Sequence, residues 1–323
     1  MKYYNPPNTR WWSGRQADDL LYYHQWVKPL MYAPEYKIAP QGFTLMGYAS
    51  DWGVQRNQGR TGARFGPLAL RKALGKLPIH LDPNRSCYDL GDVGGHCPPE
   101  YLQPTFCELL HWSYSQKAFP IAIGGGHDIV YPHATALQSF LTKNAPEKQL
   151  GIINLDAHFD LRDPHAKLHS GNSFSKLTSQ NNRLKTLHLG IRKEANDRLQ
   201  FQYAEEHCLS FIPAESCAKP KKHGVYTQLQ EWLSEVDAVY LTIDMDGFDA
   251  AHAPGVSAPG PRGFSLAFVF KIIDLLANSG KWYSMDIAEF NPLYDPAAKT
   301  ANLVALLVDR TIHRMDKYLT RLG

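Results

Sequence analysis

The stretch Gly151-Ile-Ile-Asn-Leu-Asp-Ala-His-Phe-Asp160 sets the fold. Mostly apolar residues run into Asp156, His158 and Asp160, which are spaced by two. In an extended backbone, residues two apart point to the same side. Three potential metal ligands therefore converge at the end of a buried strand. Two other segments have the same grammar. Phe119-Pro-Ile-Ala-Ile-Gly-Gly-Gly-His-Asp128 is an apolar run, a glycine turn and then His127. Ala238-Val-Tyr-Leu-Thr-Ile-Asp-Met-Asp246 is an apolar run ending in Asp244 and Asp246. Two histidines and four aspartates thus stand at the carboxyl ends of three strands. Open parallel α/β sheets place their sites there.

Outward from this centre, strand and helix signals alternate. Phe43–Tyr48 has the pattern of a first strand, and residues 51–66 form a glycine-bearing loop. Pro67 opens a helix to about Leu77, because proline fits a first helical turn. Residues 100–118 form a helix, and another runs from Asp128 to Thr142 with Pro132 in its first turn. A polar loop spans 161–180, followed by short strands at 186–191 and 208–212. A helix at 224–235 precedes the 238–244 strand, and 250–263 is a rigid loop rich in Pro and Gly. Ser265 caps a helix that ends before Gly280. Trp282–Ile287 is a strand leading to Glu289, and a last helix runs from Thr300 to about Leu319. This alternation predicts an α/β fold with a mainly parallel sheet covered on both faces. No composition break divides the chain, so residues 1–323 are expected to form one domain, with 1–40 as an irregular arm.

Composition narrows the function. The chain has 323 residues, 44% hydrophobic and 20% charged, with a net charge of only +3. Its basic residues are scattered, which argues against nucleic acid as a partner. No apolar run approaches the roughly 20 residues that span a bilayer. The first residues are polar and aromatic, unlike a signal peptide. Cys87, Cys97, Cys107, Cys208 and Cys217 form no CxxC pair, as expected of free thiols in the cytoplasm.

Ionised carboxylates cannot crowd together without counter-charge. Two divalent cations balance four aspartates, and an oxygen-rich donor set with two imidazoles favours Mn²⁺ over Zn²⁺. A pair of metals roughly 3.5–4 Å apart lowers the pKa of a shared water enough to give hydroxide at neutral pH. A lone Asp at a strand end is more often a helix cap; three converging motifs make the metal site the stronger reading.

These residues carry a resemblance. Gly-Gly-Gly-His127, Asp156-Ala-His158-Phe-Asp160 and Thr-Ile-Asp244-Met-Asp246-Gly-Phe-Asp249 resemble the three signatures of the ureohydrolases, the arginase and agmatinase family. Gly62-Ala-Arg-Phe-Gly-Pro67 and Ile287-Ala-Glu289-Phe-Asn-Pro292 are similar to further family motifs. The resemblance covers about residues 43–320. It implies a three-layer α/β/α fold around a parallel sheet of about eight strands, and two Mn²⁺ per chain. His127, Asp156, Asp160 and Asp244 would hold one ion. Asp156, His158, Asp244 and Asp246 would hold the other, with the two shared aspartates bridging. The implied reaction is hydrolysis of an amidine-type C–N bond in a small molecule. Asp160 would carry the proton to the leaving amine and Glu289 would bind the cationic –NH₂⁺ group. Family members are commonly trimers or hexamers, so a homo-oligomer is expected.

Substrate choice comes from the loops. Asp160-Leu-Arg162 with Ser170-Gly-Asn172-Ser-Phe174 resembles the formimidoylglutamase branch, which cleaves N-formimino-L-glutamate to glutamate and formamide in histidine degradation. Arginases and agmatinases carry a His-Gly pair where this chain has Ser170-Gly171, with His169 one residue early. Ile191-Arg-Lys-Glu194 lacks the acidic pattern with which arginases hold an α-amino group. A formimino substrate offers two carboxylates and no free α-amine. Arg162, Asn172 and Arg192 are therefore the expected substrate contacts, since arginine binds carboxylates with a planar fork. Hydrolysis of agmatine, arginine or another guanidino compound is the alternative within the family. A zinc deacetylase or a non-catalytic metal-binding homologue is the alternative outside it.

Overall fold

The computed structural model describes residues 1–81, 84–181 and 183–322. Its strands are β1 (Tyr4–Asn5), β2 (Val27–Pro29), β3 (Phe43–Ala49), β4 (Cys87–Gly94), β5 (Phe119–Gly124), β6 (Leu150–Leu155), β7 (Lys185–Ile191), β8 (Ser210–Pro213), β9 (Ala238–Asp244) and β10 (Trp282–Ala288). They form a 10-stranded sheet in the order β1-β4-β3-β5-β10-β9-β6-β7-β8, with β2 also paired to β4. Only the β1–β4 pair is antiparallel among the described pairs. β1 and β2 come from the N-terminal arm, and the remaining eight strands are the expected parallel sheet.

Alternate residues of each central strand go to opposite faces. Ile121, Ile123, Ile153, Leu155, Leu241 and Ile243 join one buried cluster, together with residues of helices Gly66–Leu74, Val225–Ser234, Leu266–Ser279 and the C-terminal helix. Ala122, Ile152 and Tyr240 join the other, under helices Pro99–Ser115, Val130–Asn144 and Ser173–Gln180. Both faces are therefore dry, which is why these strands read as continuous apolar runs. The result is three layers, as the family resemblance implied.

Local rules account for the element ends. Ser265 Oγ accepts the Phe268 N–H at 3.1 Å, and Gly280 closes that helix with φ 70°. Pro132 lies in the first turn of Val130–Asn144, where its missing N–H costs nothing.

Three expectations need correction. The 1–40 arm is not wholly irregular: it supplies β1, β2 and the short helix Tyr23–Trp26. The polar segment 161–180 ends in a helix, Ser173–Gln180. β4 had no place in the sequence reading, because Asp89 and Asp92 interrupt its apolar pattern. Both are buried against Arg71, whose guanidinium grips Asp89 through Nε and Nη2 at 2.8 Å each and Asp92 through Nη1 at 2.7 Å. Trp12 of the arm donates its indole N–H to the same Asp89 at 2.8 Å.

Candidate metal centre

The four central strands β5, β10, β9 and β6 are neighbours in the sheet, and each ends in a site residue. His127 follows β5, Glu289 follows β10, Asp244 ends β9, and Asp156 follows β6. The turn after β5 has no room for side chains. A Cβ on Gly125 would come within 1.5 Å of the Ser50 carbonyl oxygen. The glycines thus let His127 drop straight from the strand end into the site.

His127 is the hub. Its Nδ1 lies 2.7 Å from Asp160 Oδ2, 3.2 Å from Asp156 Oδ2 and 3.4 Å from Asp244 Oδ2. Its backbone N–H donates to Glu289 Oε1 at 3.0 Å. On the far side of the ring, Nε2 lies 3.0 Å from Thr242 Oγ1. The Thr242 hydroxyl donates to Asp286 Oδ1 at 2.6 Å, and Asp286 also takes the Tyr240 hydroxyl and His133 Nδ1. A carboxylate only accepts, so the Thr242 proton is committed and Nε2 must be the donor to Thr242. That leaves Nδ1, aimed at three carboxylates, as the nitrogen a cation would take.

Asp156, His158 and Asp246 form the second half. His158 Nδ1 is 3.4 Å from Asp156 Oδ1 and 3.2 Å from Asp246 Oδ1. Ligand atoms of His127, Asp156 and Asp160 all lie within 4.8 Å of one another, and so do those of Asp156, His158 and Asp246. Asp156 belongs to both groups and spans them with its two oxygens. Asp156 and Asp244 repeat one local device: Oδ1 of each accepts the N–H two residues on, at 2.7 and 2.8 Å. The strand ends therefore curl around their own acids.

Charge in this pocket is unbalanced. Burial pushes Glu289 up to about 8, with the Asp246 charge adding to it. Burial and the Asp156 charge raise Asp160 to about 6. Asp244 is raised well above the usual carboxylate range by burial and by Asp246 and Asp156. Burial opposes ionisation of Asp156 too, but the imidazoles of His127 and His158 hold it low. Glu289 Oε2 and Asp246 Oδ1 are buried without a hydrogen bond. Crowded acids, orphaned oxygens and an imidazole nitrogen facing them are what a pair of divalent cations would satisfy. The residues present fit such ions.

The arginase-family model matches residues 41–313. The chain belongs to the arginase family. A formimidoylglutamase of Geobacillus thermodenitrificans is 35% identical over 309 residues, 94% of each chain. That of Nocardia farcinica is 38% identical over 313 residues, 94% of this chain and 96% of its own. Among solved structures, the formimidoylglutamase of Bacillus subtilis superposes with a TM-score of 0.81 at 21% identity, over 94% of this chain and 95% of that one. A Trypanosoma cruzi formiminoglutamase solved with Mn2+2 superposes at 0.75 and 24% identity, over 85% and 94%.

In this arginase-family chain the sheet ends enclose a cavity of about 290 Å³. His127, His158, Asp160, Asp244, Asp246 and Glu289 line it, and so does Arg162. The Arg162 side chain is exposed and makes no hydrogen bond or ion pair among the described residues. The other two expected substrate contacts are placed elsewhere. Asn172 is buried inside its own loop, donating to the Asp163 and Lys167 carbonyls and accepting the His169 N–H. Arg192 is buried as a strut: it donates to the Arg262 carbonyl at 2.9 Å and to the Asp246 carbonyl at 3.3 Å. Backbone carbonyls of the loop at 246–262 thus hold both terminal nitrogens of the guanidinium that was expected to meet substrate, and its Nε is buried without a partner.

Several site residues escaped the sequence reading. Thr242 and Asp286 were detectable in principle: Thr242 lies two before Asp244, on the same side of β9, and Asp286 is an acid inside an apolar strand. Asn196 was not, since nothing nearby marks it. It accepts the Phe159 N–H at 2.8 Å and donates to the Ala157 carbonyl at 2.9 Å, which fixes the Asp156–Asp160 turn from outside. Asn57 and Arg60 reach the cavity from the glycine-bearing loop.

Proposed function

We propose that this protein is a formimidoylglutamase that uses two Mn²⁺ ions to hydrolyse N-formimino-L-glutamate to L-glutamate and formamide. The observation that carries the reading is the polarity of one cavity: an acidic, metal-fitting floor and an unpaired Arg162 guanidinium in its wall. The family membership and the formimidoylglutamases that match nearly the whole chain support it.

His127, Asp156, Asp160 and Asp244 would hold one ion, and Asp156, His158 and Asp246 the other with Asp244. Bound divalent ions supply Lewis acidity and lower the pKa of water at neutral pH. The chain's own residues do the rest. Glu289 Oε2, buried and without a partner, receives the amidinium N–H groups. Arg162 holds a carboxylate of the substrate, which aligns the formimino carbon over the acids. The oxygen of water bonds to that carbon as the carbon's bond to the glutamate nitrogen breaks. Asp160, at the cavity floor with Oδ2 2.7 Å from His127 Nδ1, would pass the water's proton to that nitrogen.

We read the protein as a cytoplasmic enzyme of histidine breakdown, working as one 1–323 unit. Among the described residues no helix is long and apolar enough to cross a membrane, and all five cysteines are free. The test is a substrate panel on Mn²⁺-loaded protein: formiminoglutamate, agmatine and arginine. Faster turnover of agmatine or arginine would overturn the assignment.

A further inference from the structure

We infer that Arg60 is a second carboxylate anchor, so that the cavity binds a dicarboxylate between two arginines on separate loops. The inference rests on the proposed reaction for the identity of the ligand, but its geometry is independent of it.

Arg60 and Arg162 line the same cavity as the acidic floor. Their surroundings differ. Arg162 stands on the loop after β6, beside Gly171; a Cβ on that glycine would meet Arg162 Cδ at 3.2 Å and Asn57 at 2.8 Å. Arg60 stands on the loop between β3 and the helix Gly66–Leu74 and is fixed by the 256–257 turn. Its Nε donates to the Ser257 carbonyl at 2.9 Å and its Nη2 to the Val256 carbonyl at 2.6 Å. Its backbone N–H donates to Ser257 Oγ at 2.8 Å, and its own carbonyl accepts from Asn291 Nδ2 at 3.0 Å. The guanidinium carbon lies 4.2 Å from the centre of the Tyr294 ring.

These contacts hold the Arg60 plane but leave Nη1 without a hydrogen bond among the described residues. Among the described residues no carboxylate pairs with it; Arg56, four residues earlier, is by contrast paired with Glu100. A half-buried guanidinium whose orientation is already fixed loses little entropy on binding an anion. The two arginines therefore divide the work. The floor takes the cationic amidine, and each guanidinium takes one carboxylate. Asn57 lines the same cavity, with Nδ2 on Ser170 Oγ at 3.1 Å and Oδ1 buried without a partner. It is placed to accept an N–H of the same ligand.

The alternative for Arg60 is a structural staple for the 256–257 turn, and the experiment separates the two. Mn²⁺-loaded wild type, Arg60→Gln and Arg162→Ala are titrated calorimetrically with L-glutamate, L-2-aminobutanoate and 4-aminobutanoate. The last two ligands each lack one carboxylate. Glutamine keeps N–H donors for the turn while removing the charge. Wild type should prefer L-glutamate over both monocarboxylates. Arg60→Gln should lose the preference over one of them, and Arg162→Ala over the other. Each loss should be roughly tenfold to hundredfold, the range for a charged hydrogen bond. If Arg60→Gln keeps both preferences, weakens all three ligands by one factor, or loses the same preference as Arg162→Ala, the second anchor does not exist. Turnover of formiminoglutamate is measured separately: its absence with the two-anchor pattern intact would overturn the reaction and leave the anchors standing.

Discussion

Asp160 and Glu289 share a backbone conformation that non-glycine residues seldom adopt, with φ 54° and 60°, and both reach for His127. One takes its ring and the other its main-chain N–H. Left-handed non-glycine residues cost of order 1–3 kcal/mol each and persist only where their surroundings impose them. Here the imposed feature is the aim of the two carboxylates expected to handle protons and the amidinium.

Glu289→Gln keeps the shape and the His127 contact but removes the negative charge. Its kcat/KM should fall at least tenfold while metal content stays at the wild-type level. Glu289→Gly should be inactive yet melt higher than wild type as the metal-free protein, because strain and a buried acid are both removed. Wild-type kinetics for the glutamine variant would exclude Glu289 from the reaction.

Asp156 faces both halves of the centre, so its loss should be felt twice. Elemental analysis of Mn²⁺-reconstituted wild type should give about two ions per chain by the two-metal logic. Asp156→Asn should retain fewer than one. Chelation should lower the wild-type Tm, since a ligand at about 1,000 times its Kd adds about 4 kcal/mol to stability. A Tm indifferent to both chelator and Mn²⁺ would count against the centre.

Thr242 fixes which His127 nitrogen carries the proton. Thr242→Val leaves Nε2–H buried without an acceptor, at a cost of about 1–3 kcal/mol. Metal affinity should drop roughly 10- to 100-fold, as for other lost supports of a ligating histidine. Thr242→Ser should restore most of it. Equal affinities for the valine and serine variants would show that the hydroxyl does nothing for the metal.

Arg162→Ala should raise KM for formiminoglutamate, at a cost of roughly 1.5–3 kcal/mol for a charged hydrogen bond. Arg162→Lys should recover only part of it, because the planar fork is gone. Metal content should not change. Unaltered kinetics of the alanine variant would remove Arg162 from recognition.

Among the described residues Arg71 is the only cation paired with the two buried acids of β4. Arg71→Leu should cost about 3–5 kcal/mol, the range for breaking a buried pair. Asp92 is already raised by burial despite Arg71, and losing the cation raises it further. A carboxyl raised on folding stabilises the fold below its unfolded pKa of about 4 and loses that contribution as pH rises through the folded value. The variant's deficit against wild type should therefore be smallest near pH 4 and grow toward pH 7. A deficit that does not vary with pH would contradict this.

The catalytic stretches were legible because each obeyed one short-range rule. An apolar run marks a doubly buried strand, and ligands at alternate positions mark its end; β5, β6 and β9 were found this way. β4 was not, since its two aspartates are neutralised by an arginine on the helix that covers it. The helix at Ser173–Gln180 was hidden by the polar run of serines and asparagines that opens it. The substrate contacts were the weakest reading. Arg162 sits beside a ligand in the sequence and remains beside it in space. Arg192 also follows a strand end, but a crossing loop takes its guanidinium, and no local pattern encodes where a distant loop will cross.

β10 pairs with β5 on one side and β9 on the other. Without it the sheet is two separate pieces, one built from residues 4–124 and the other from 150–244. A chain leaving the ribosome makes both pieces before the strand at Trp282–Ala288 that zips them together. Each piece is assembled from nearby segments, so the long-range step comes last. His127 directly follows the last strand of the first piece, and Asp156, His158, Asp160, Asp244 and Asp246 stand in or directly after strands of the second. An ion held by His127 and those acids would be a clasp across the seam. Its site would be complete only after synthesis has passed β10, and a bound ion would resist the splitting of the molecule along its middle.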